Sequence, residues 1–213
     1  TWVPNRRGTA APTASTIPMP DWVSSWSGSS WRSGGTRRIY PLAARYSGGM
    51  AVLPIRITGE SVLHSEAAEV TEFDDSLRQL VDDMFETMKM APGVGLAGPQ
   101  VGVPLRVFVY NWTDDDGVLW RGVAINPELW ISPARVGEAD EDDDSEGCLS
   151  LPGERFPLIR AERAILRAVD LDQKPYEIEA EGWLARIFQH EFDHLNGILY
   201  VDRLEGYDKA VAK

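Results

Sequence analysis

Residues 182–194 read Gly182-Trp183-Leu184-Ala185-Arg186-Ile187-Phe188-Gln189-His190-Glu191-Phe192-Asp193-His194, and the reading of this stretch decides the fold. Trp183, Ile187, His190 and His194 recur at helical spacing, so one face of a helix carries two apolar residues and two imidazoles. Histidines four apart stand one turn above each other, about 5–6 Å between Cβ atoms, close enough for both rings to reach one metal ion. The apolar residues on the same stripe turn that face inward. Glu191 adjoins the first imidazole, where a carboxylate can take a proton from a metal-activated water. The plainer alternative is a buried histidine pair satisfied by backbone carbonyls. The chain has only 3 histidines, and two of them fall at this spacing around a glutamate, which favours the metal.

Working outward, a second amphipathic stripe runs through Leu77, Leu80, Val81, Met84, Phe85 and Met88. Asp74, Asp75 and Ser76 suit the start of that helix and Pro92-Gly93 its end. The methionines there read as core filler. Short strands are predicted at Leu105–Tyr110, Gly122–Asn126, Ala164–Asp170 and Tyr176–Ala180, each bounded by Gly, Pro, Asn or Asp. Ala51–Ile57 reads as an extended lead-in, and the acidic run Glu138–Glu146 as a solvated loop. The expected class is α+β: mostly antiparallel short sheets packed around a central C-terminal HExxH helix, with the second amphipathic helix beside them.

Two histidines need a third protein ligand if one position is to stay open for water. Cys148 in Glu146-Gly147-Cys148-Leu149-Ser150-Leu151-Pro152, His64 and several carboxylates are all available. A Cys–His nucleophile pair is a competing use of Cys148, but it leaves the HExxH spacing without a purpose. The glycine-rich Gly93-Val94-Gly95-Leu96-Ala97-Gly98-Pro99-Gln100-Val101-Gly102 lacks the Gly-Lys-Ser/Thr ending of a P-loop. It also lacks the βαβ context of a dinucleotide site. Alone it is only a turn with an amide donor at Gln100.

Composition narrows the classes further. The 213 residues carry a net charge of −12, against a general nucleic-acid binder. No run of 18 apolar residues is present, so no membrane-spanning helix is expected. A single cysteine excludes a disulfide-stapled scaffold. Charge is unevenly spread: residues 1–49 hold six arginines and one aspartate, a net +5, which leaves −17 for the rest. That segment is rich in Ser, Gly, Pro and Thr and shows no periodicity. It reads as a disordered N-terminal extension, or as sequence upstream of a true start at Met50. Its Arg-rich, Ser-rich, acid-poor composition leaves organellar targeting as a minority reading beside a cytoplasmic location. The catalytic domain is then residues 50–213.

Taken together, GVGLAGPQ, EGCLS and HEFDH, in that order, resemble the three signature motifs of peptide deformylase, in particular its actinobacterial-type members. The likeness runs from about Val52 to Leu204 and takes in Pro152-Gly153-Glu154-Arg155, Arg160 and the Gly182–Gln189 lead-in. Gly98 stands where the family usually has alanine, a loss of bulk expected to leave the loop intact but looser. The resemblance implies a hydrolase of protein biosynthesis and N-terminal methionine processing. Such an enzyme removes the formyl group from N-formylmethionyl nascent peptides near the ribosome exit and releases formate. It further implies Cys148, His190 and His194 as metal ligands and Glu191 as the acid/base. Gln100 and the Leu149 backbone N–H would face the developing oxyanion, and the Gly95 backbone would bind substrate. Val94, Trp183 and Ile187 would line an apolar methionine pocket. Glu146 and Arg155 read as structural or rim residues, and Asp193 as orienting the site from behind. The implied ion is Fe²⁺, although one thiolate and two imidazoles equally suit Zn²⁺, Ni²⁺ or Co²⁺.

Two rivals are weighed. A HExxH zinc endopeptidase would take a downstream third ligand such as Asp202, Glu205 or Asp208. A non-catalytic metal-binding module would close the shell with a fourth protein ligand, and His64 is the only spare imidazole.

Overall fold

The computed structural model describes residues 51–204. The expectations for residues 1–49, for Met50 as a start, and for Glu205 and Asp208 lie outside the described residues.

The apolar stripe after Asp74 forms α1 (Asp75–Met90). The Asp74 carboxylate accepts the backbone N–H groups of Ser76 and Leu77 at 3.1 and 3.0 Å, satisfying donors that a helix start leaves orphaned. At the other end Ala91 and Gly93 donate back to the Thr87 and Met88 carbonyls, each at 3.0 Å. The motif-bearing helix is α2 (Gly182–Leu195). It closes with Gly197 at φ +70°, donating to the His194 carbonyl. A β-carbon on Gly197 would also lie 2.7 Å from the Ser65 nitrogen, so only glycine fits there.

Among the described residues seven strands accompany these helices: β1 (Gly95–Ala97), β2 (Val107–Thr113), β3 (Leu119–Ile131), β4 (Ser145–Cys148), β5 (Leu151–Pro157), β6 (Arg163–Val169) and β7 (Pro175–Glu181). All ladders are antiparallel, in one five-stranded sheet ordered β1-β2-β3-β6-β7 and one β4–β5 hairpin. The expected α+β class holds. The four predicted strands became β2, β3, β6 and β7 with moved ends. The strand expected to stop at Asn126 runs on to Ile131, because Asn126 at φ 49° sits in a register shift between Ile125 and Glu128. That irregularity absorbs the Asn-Pro break instead of ending the ladder. The Asn126 side chain is fixed by exchanging hydrogen bonds with the Val70 backbone at 2.8 and 2.9 Å.

Strand alternation sends two sets of side chains to opposite faces of the sheet. Val107, Val109, Ile125 and Leu96 pack with Leu77, Leu80, Val81, Met84 and Met88 of α1. Phe108, Tyr110, Leu166 and five alanines (Ala97, Ala124, Ala164, Ala168, Ala180) pack with Leu184, Ala185, Ile187, Phe188 and Leu195 of α2. The small residues on that face let α2 lie close to the strands. The lead-in Ala51–Ile57 joins no sheet; its Arg56 N–H donates to the Gln100 carbonyl at 2.7 Å.

The acidic run is not wholly solvated. Ser145 and Glu146 enter β4, and Asp144 and Glu146 are buried. Arginines distant in sequence explain this: Arg186 donates to the Asp144 carboxylate at 3.2 Å and Arg160 to Glu146 at 2.6 Å, while Arg135 also pairs with Asp144. No helix among the described residues is long and apolar enough to cross a membrane.

Candidate active site

Two elements bring the predicted ligands together. His190 and His194 lie one turn apart on α2, and Cys148 ends β4 where the hairpin turns into β5. Their Nε2 atoms are 3.2 Å apart, and Cys148 Sγ is 3.3 Å from His194 Nε2. Donor atoms from all three lie within 4.8 Å of one another. Bond lengths of about 2.0–2.1 Å to nitrogen and 2.3 Å to sulfur in a tetrahedron put the ligand atoms about 3.3–3.6 Å apart. The donor set fits one ion with a position left for another ligand.

The electrostatics agree. Burial alone would push the Cys148 thiol up, but the imidazoles of His194 and His190 hold it well below its ordinary value, favouring the thiolate that ligates metals. The backbone N–H of Ser150 points to the same sulfur at 3.4 Å. Glu146 Oε1 lies 2.7 Å from His190 Nδ1, which leaves the Nε2 edge of that ring to the cluster. Burial would raise the Glu146 carboxyl. The hydrogen bonds from His190 and Arg160 outweigh it and hold the group well below the usual carboxylate range.

The geometry specifies two supporting roles. Of the structural and rim roles expected for Glu146, the structural one fits: it is 4% exposed and its carboxylate lies against His190 Nδ1. Asp193 acts one step further back. Its carboxylate accepts from Arg160 at 2.6 Å and from Arg203 at 2.7 Å, and Arg160 reaches on to Glu146. The importance of Arg160, and of Arg186 on the flank of Glu146, was not legible from motif spacing. The burial of Glu146 that calls for a cation is visible only once the chain is folded.

Glu191 is 4% exposed, and burial pushes its carboxyl up to about 7 against the pull of the two histidines. Its Oε2 has no hydrogen-bond partner among the described residues. The opposite wall is the glycine-rich turn. Gly95 in β1 lies against the Glu191 carboxylate, and Gln100 sits in the 3-10 turn Gly98–Val101. Ala97 N–H donates to Gln100 Oε1 at 2.8 Å, fixing the amide so that Nε2 faces Ser150 Oγ at 3.3 Å and Cys148 Sγ at 3.6 Å. Leu149 occupies the turn between Cys148 and Ser150. Gly98 does not loosen this loop. A β-carbon there would meet the Val103 and Leu105 carbonyl oxygens at 2.8 and 2.9 Å, so backbone fills the space alanine would need.

The three pocket residues meet in one apolar cluster. Ile187 is buried in the core under α2, with Val94 and Trp183 half-buried against it. Trp183 also borders an open cavity of about 870 Å³ whose other walls include Arg135, Asp140, Asp144, Arg160 and Arg186. That cavity is polar, and neither Val94 nor Ile187 lines it.

Comparison with known proteins decides the class. Residues 52–210 match the family model described as polypeptide deformylase. The chain belongs to the polypeptide deformylase family. A peptide deformylase of Tropheryma whipplei is 53% identical over 171 residues, covering 75% of this chain and 84% of that protein. One from Rhodococcus opacus is 48% identical, covering 77% and 86%. Among solved structures, a class I type b peptide deformylase of Acinetobacter baumannii, bound to Met-Ala-Ser, superposes with a TM-score of 0.65 at 37% identity. The match covers 73% of this chain and 100% of that one. A Thermotoga maritima peptide deformylase gives 0.62 at 38% identity, over 72% and 98%.

Membership makes the chain a metal-dependent hydrolase that removes the formyl group from nascent peptides. The endopeptidase reading loses its nearest ligand, since Asp202 accepts the Leu199 N–H at 2.9 Å as a local cap. The structural-module reading loses its fourth ligand, since His64 lies outside the Cys148–His190–His194 group and faces the Gly59 N–H at 3.4 Å.

Proposed function

We propose that Cys148, His190 and His194 hold one divalent ion, Fe²⁺ in the working enzyme, and that Glu191 is the acid/base of deformylation. The observation that carries this reading is the convergence of the three donor atoms with a buried glutamate that keeps one oxygen unpartnered. When bound, such an ion lowers the pKa of water toward about 7 and polarises a carbonyl oxygen.

The chain's own residues do the rest. Glu191 Oε2 accepts the proton of the attacking water and returns it to the departing amine nitrogen; its raised pKa suits a group that must hold and release a proton near neutrality. Gln100 Nε2–H and the Leu149 backbone N–H donate to the formyl oxygen as it gains charge, each donor typically worth about 10²–10³ in rate. Gln100 arrives already oriented by its bond from Ala97. The Gly95 backbone hydrogen-bonds the substrate chain, and Val94, Trp183 and Ile187 receive the methionine side chain. The substrates are N-formylmethionyl nascent chains met at the ribosome exit in the cytoplasm. Residues 50–213 form the catalytic domain. The Met-Ala-Ser bound by the Acinetobacter relative has the form of the product left when formyl-Met-Ala-Ser loses its formyl group, which supports this substrate class.

The test is formate release from formyl-Met-Ala-Ser together with metal analysis. Turnover that tracks one ion per chain supports the assignment. Turnover after complete metal removal, or cleavage at internal peptide bonds, overturns it.

A further inference from the structure

On the far face of the sheet from α2, the α1 residue Asp83 is fully buried. Its Oδ1 accepts the Ala51 backbone N–H at 2.7 Å and the Gln79 side-chain amide at 2.9 Å. Its Oδ2 is buried without a hydrogen-bond partner, and no cation among the described residues pairs with it. A buried carboxylate with one free oxygen and no counter-charge is costly. The nitrogen it faces is also held in register from beyond: Leu53 N–H donates to Thr87 Oγ1 at 2.8 Å, and that hydroxyl donates to the Asp83 carbonyl at 2.7 Å.

We propose that Asp83 is the receptor for a free α-ammonium on Ala51, so that the Met50–Ala51 peptide bond is a processing site. An α-amino group has an ordinary pKa of about 7.7–8.0 and is mostly protonated at neutral pH. On Ala51 it would replace one N–H by three and add the missing positive charge, serving Oδ1 and Oδ2 together. The step is hydrolysis by an aminopeptidase that removes methionine ahead of a small residue. Water divides across the C–N bond, methionine leaves with the new carboxylate, and Ala51 keeps the new amine. Residues before Met50 must be absent for that enzyme to act, through initiation at Met50 or prior proteolysis. This inference is independent of the roles given to the metal cluster.

The Acinetobacter chain is covered over its whole length by 73% of this one, so the fold of that relative needs no segment matching a 49-residue extension. The test uses a precursor that a site-specific protease opens between residues 50 and 51, compared uncut and cut, in the wild type and in Asp83→Asn. Cutting should raise Tm at pH 7 by several degrees, on the order of 5 °C for a domain this size, and by far less in Asp83→Asn. No rise in the wild type, or an equal rise in both, overturns the pairing. If Asp83→Asn does not fold, acylation of the Ala51 amine at pH 7 decides. Labelling at least tenfold slower than in a free peptide of residues 51–56 supports it, and labelling at the peptide's rate overturns it. The mass of the chain made in bacteria from a start at Met50 tests the processing: loss of one methionine is expected, and its full retention overturns that part.

Discussion

The Glu191 carboxylate rests on the Cα of Gly95: a β-carbon there would stand 2.3 Å from Oε1 and 2.7 Å from Cδ. The glycine is therefore a condition of the glutamate's position, beyond any backbone contact to substrate. Gly95→Ala should lower kcat/KM for formyl-Met-Ala-Ser by about 10² or more, since a displacement near 1 Å at the reacting centre costs that much. Metal content should be unchanged. A variant with near wild-type turnover would show that Glu191 is free to move without consequence.

Glu191→Gln keeps the shape of the side chain and removes its basicity. It should retain the ion and lose about 10²–10⁴ in kcat, the usual worth of a positioned acid/base. Metal analysis beside the rate separates this from the alternative in which Glu191 is itself a ligand, where the ion would be lost too.

Cys148→Ser replaces a thiolate, already favoured by the two imidazoles, with a hydroxyl that stays protonated at neutral pH. The variant should bind metal far more weakly and lose turnover. Full occupancy with unchanged turnover would return attention to a downstream third ligand.

How much of this the sequence carried varies by element. The α1 stripe and the α2 imidazoles were readable because spacing and caps are local. The short β1 was hidden in the glycine-rich turn, and β4 and β5 in the acidic run and the cysteine motif. The burial of Glu146, at the end of a run expected to be solvated, was missed for a physical reason. A charge run is solvated unless cations arrive from elsewhere, and here Arg160 and Arg186 come from positions 14 and 40 residues away. Only folding shows those partners. Folding also sets the route by which Asp193 supports the site: its carboxylate is taken up by Arg160 and Arg203 before it can reach an imidazole.

Glu146 gives a pH prediction with a definite sign. Its folded-state carboxyl is held well below its ordinary value of about 4.5, so its contribution to stability is present above about pH 4.5 and is lost as pH falls toward the folded value. In metal-free protein Glu146→Gln should lower Tm at pH 7 by on the order of 10 °C, because it leaves Arg160 half-paired in the interior. The difference from wild type should narrow below about pH 4.5. Metal affinity should fall about 10–100-fold through loss of the His190 orienting bond. A Tm gap that widens in acid would contradict the assignment.

Substrate discrimination follows from how little room the converging groups leave. Gln100 Nε2 is 3.6 Å from Cys148 Sγ, Glu191 is pressed on Gly95, and the Gly98 turn is backed by the Val103 and Leu105 carbonyls. None of these walls yields to an extra methyl without moving a group to which the proposed reaction gives a role. An acetyl-Met peptide places that methyl on the carbon under attack. It should therefore react at least 10² more slowly than its formyl counterpart. Norleucine keeps the length and apolarity of methionine against Val94, Trp183 and Ile187, so formyl-norleucine should lose less than about tenfold in kcat/KM. The four-way comparison of formyl and acetyl, methionine and norleucine, separates the two effects. Equal rates on formyl and acetyl peptides would mean that the Gly95–Glu191–Gln100 wall does not set the size of the acyl group.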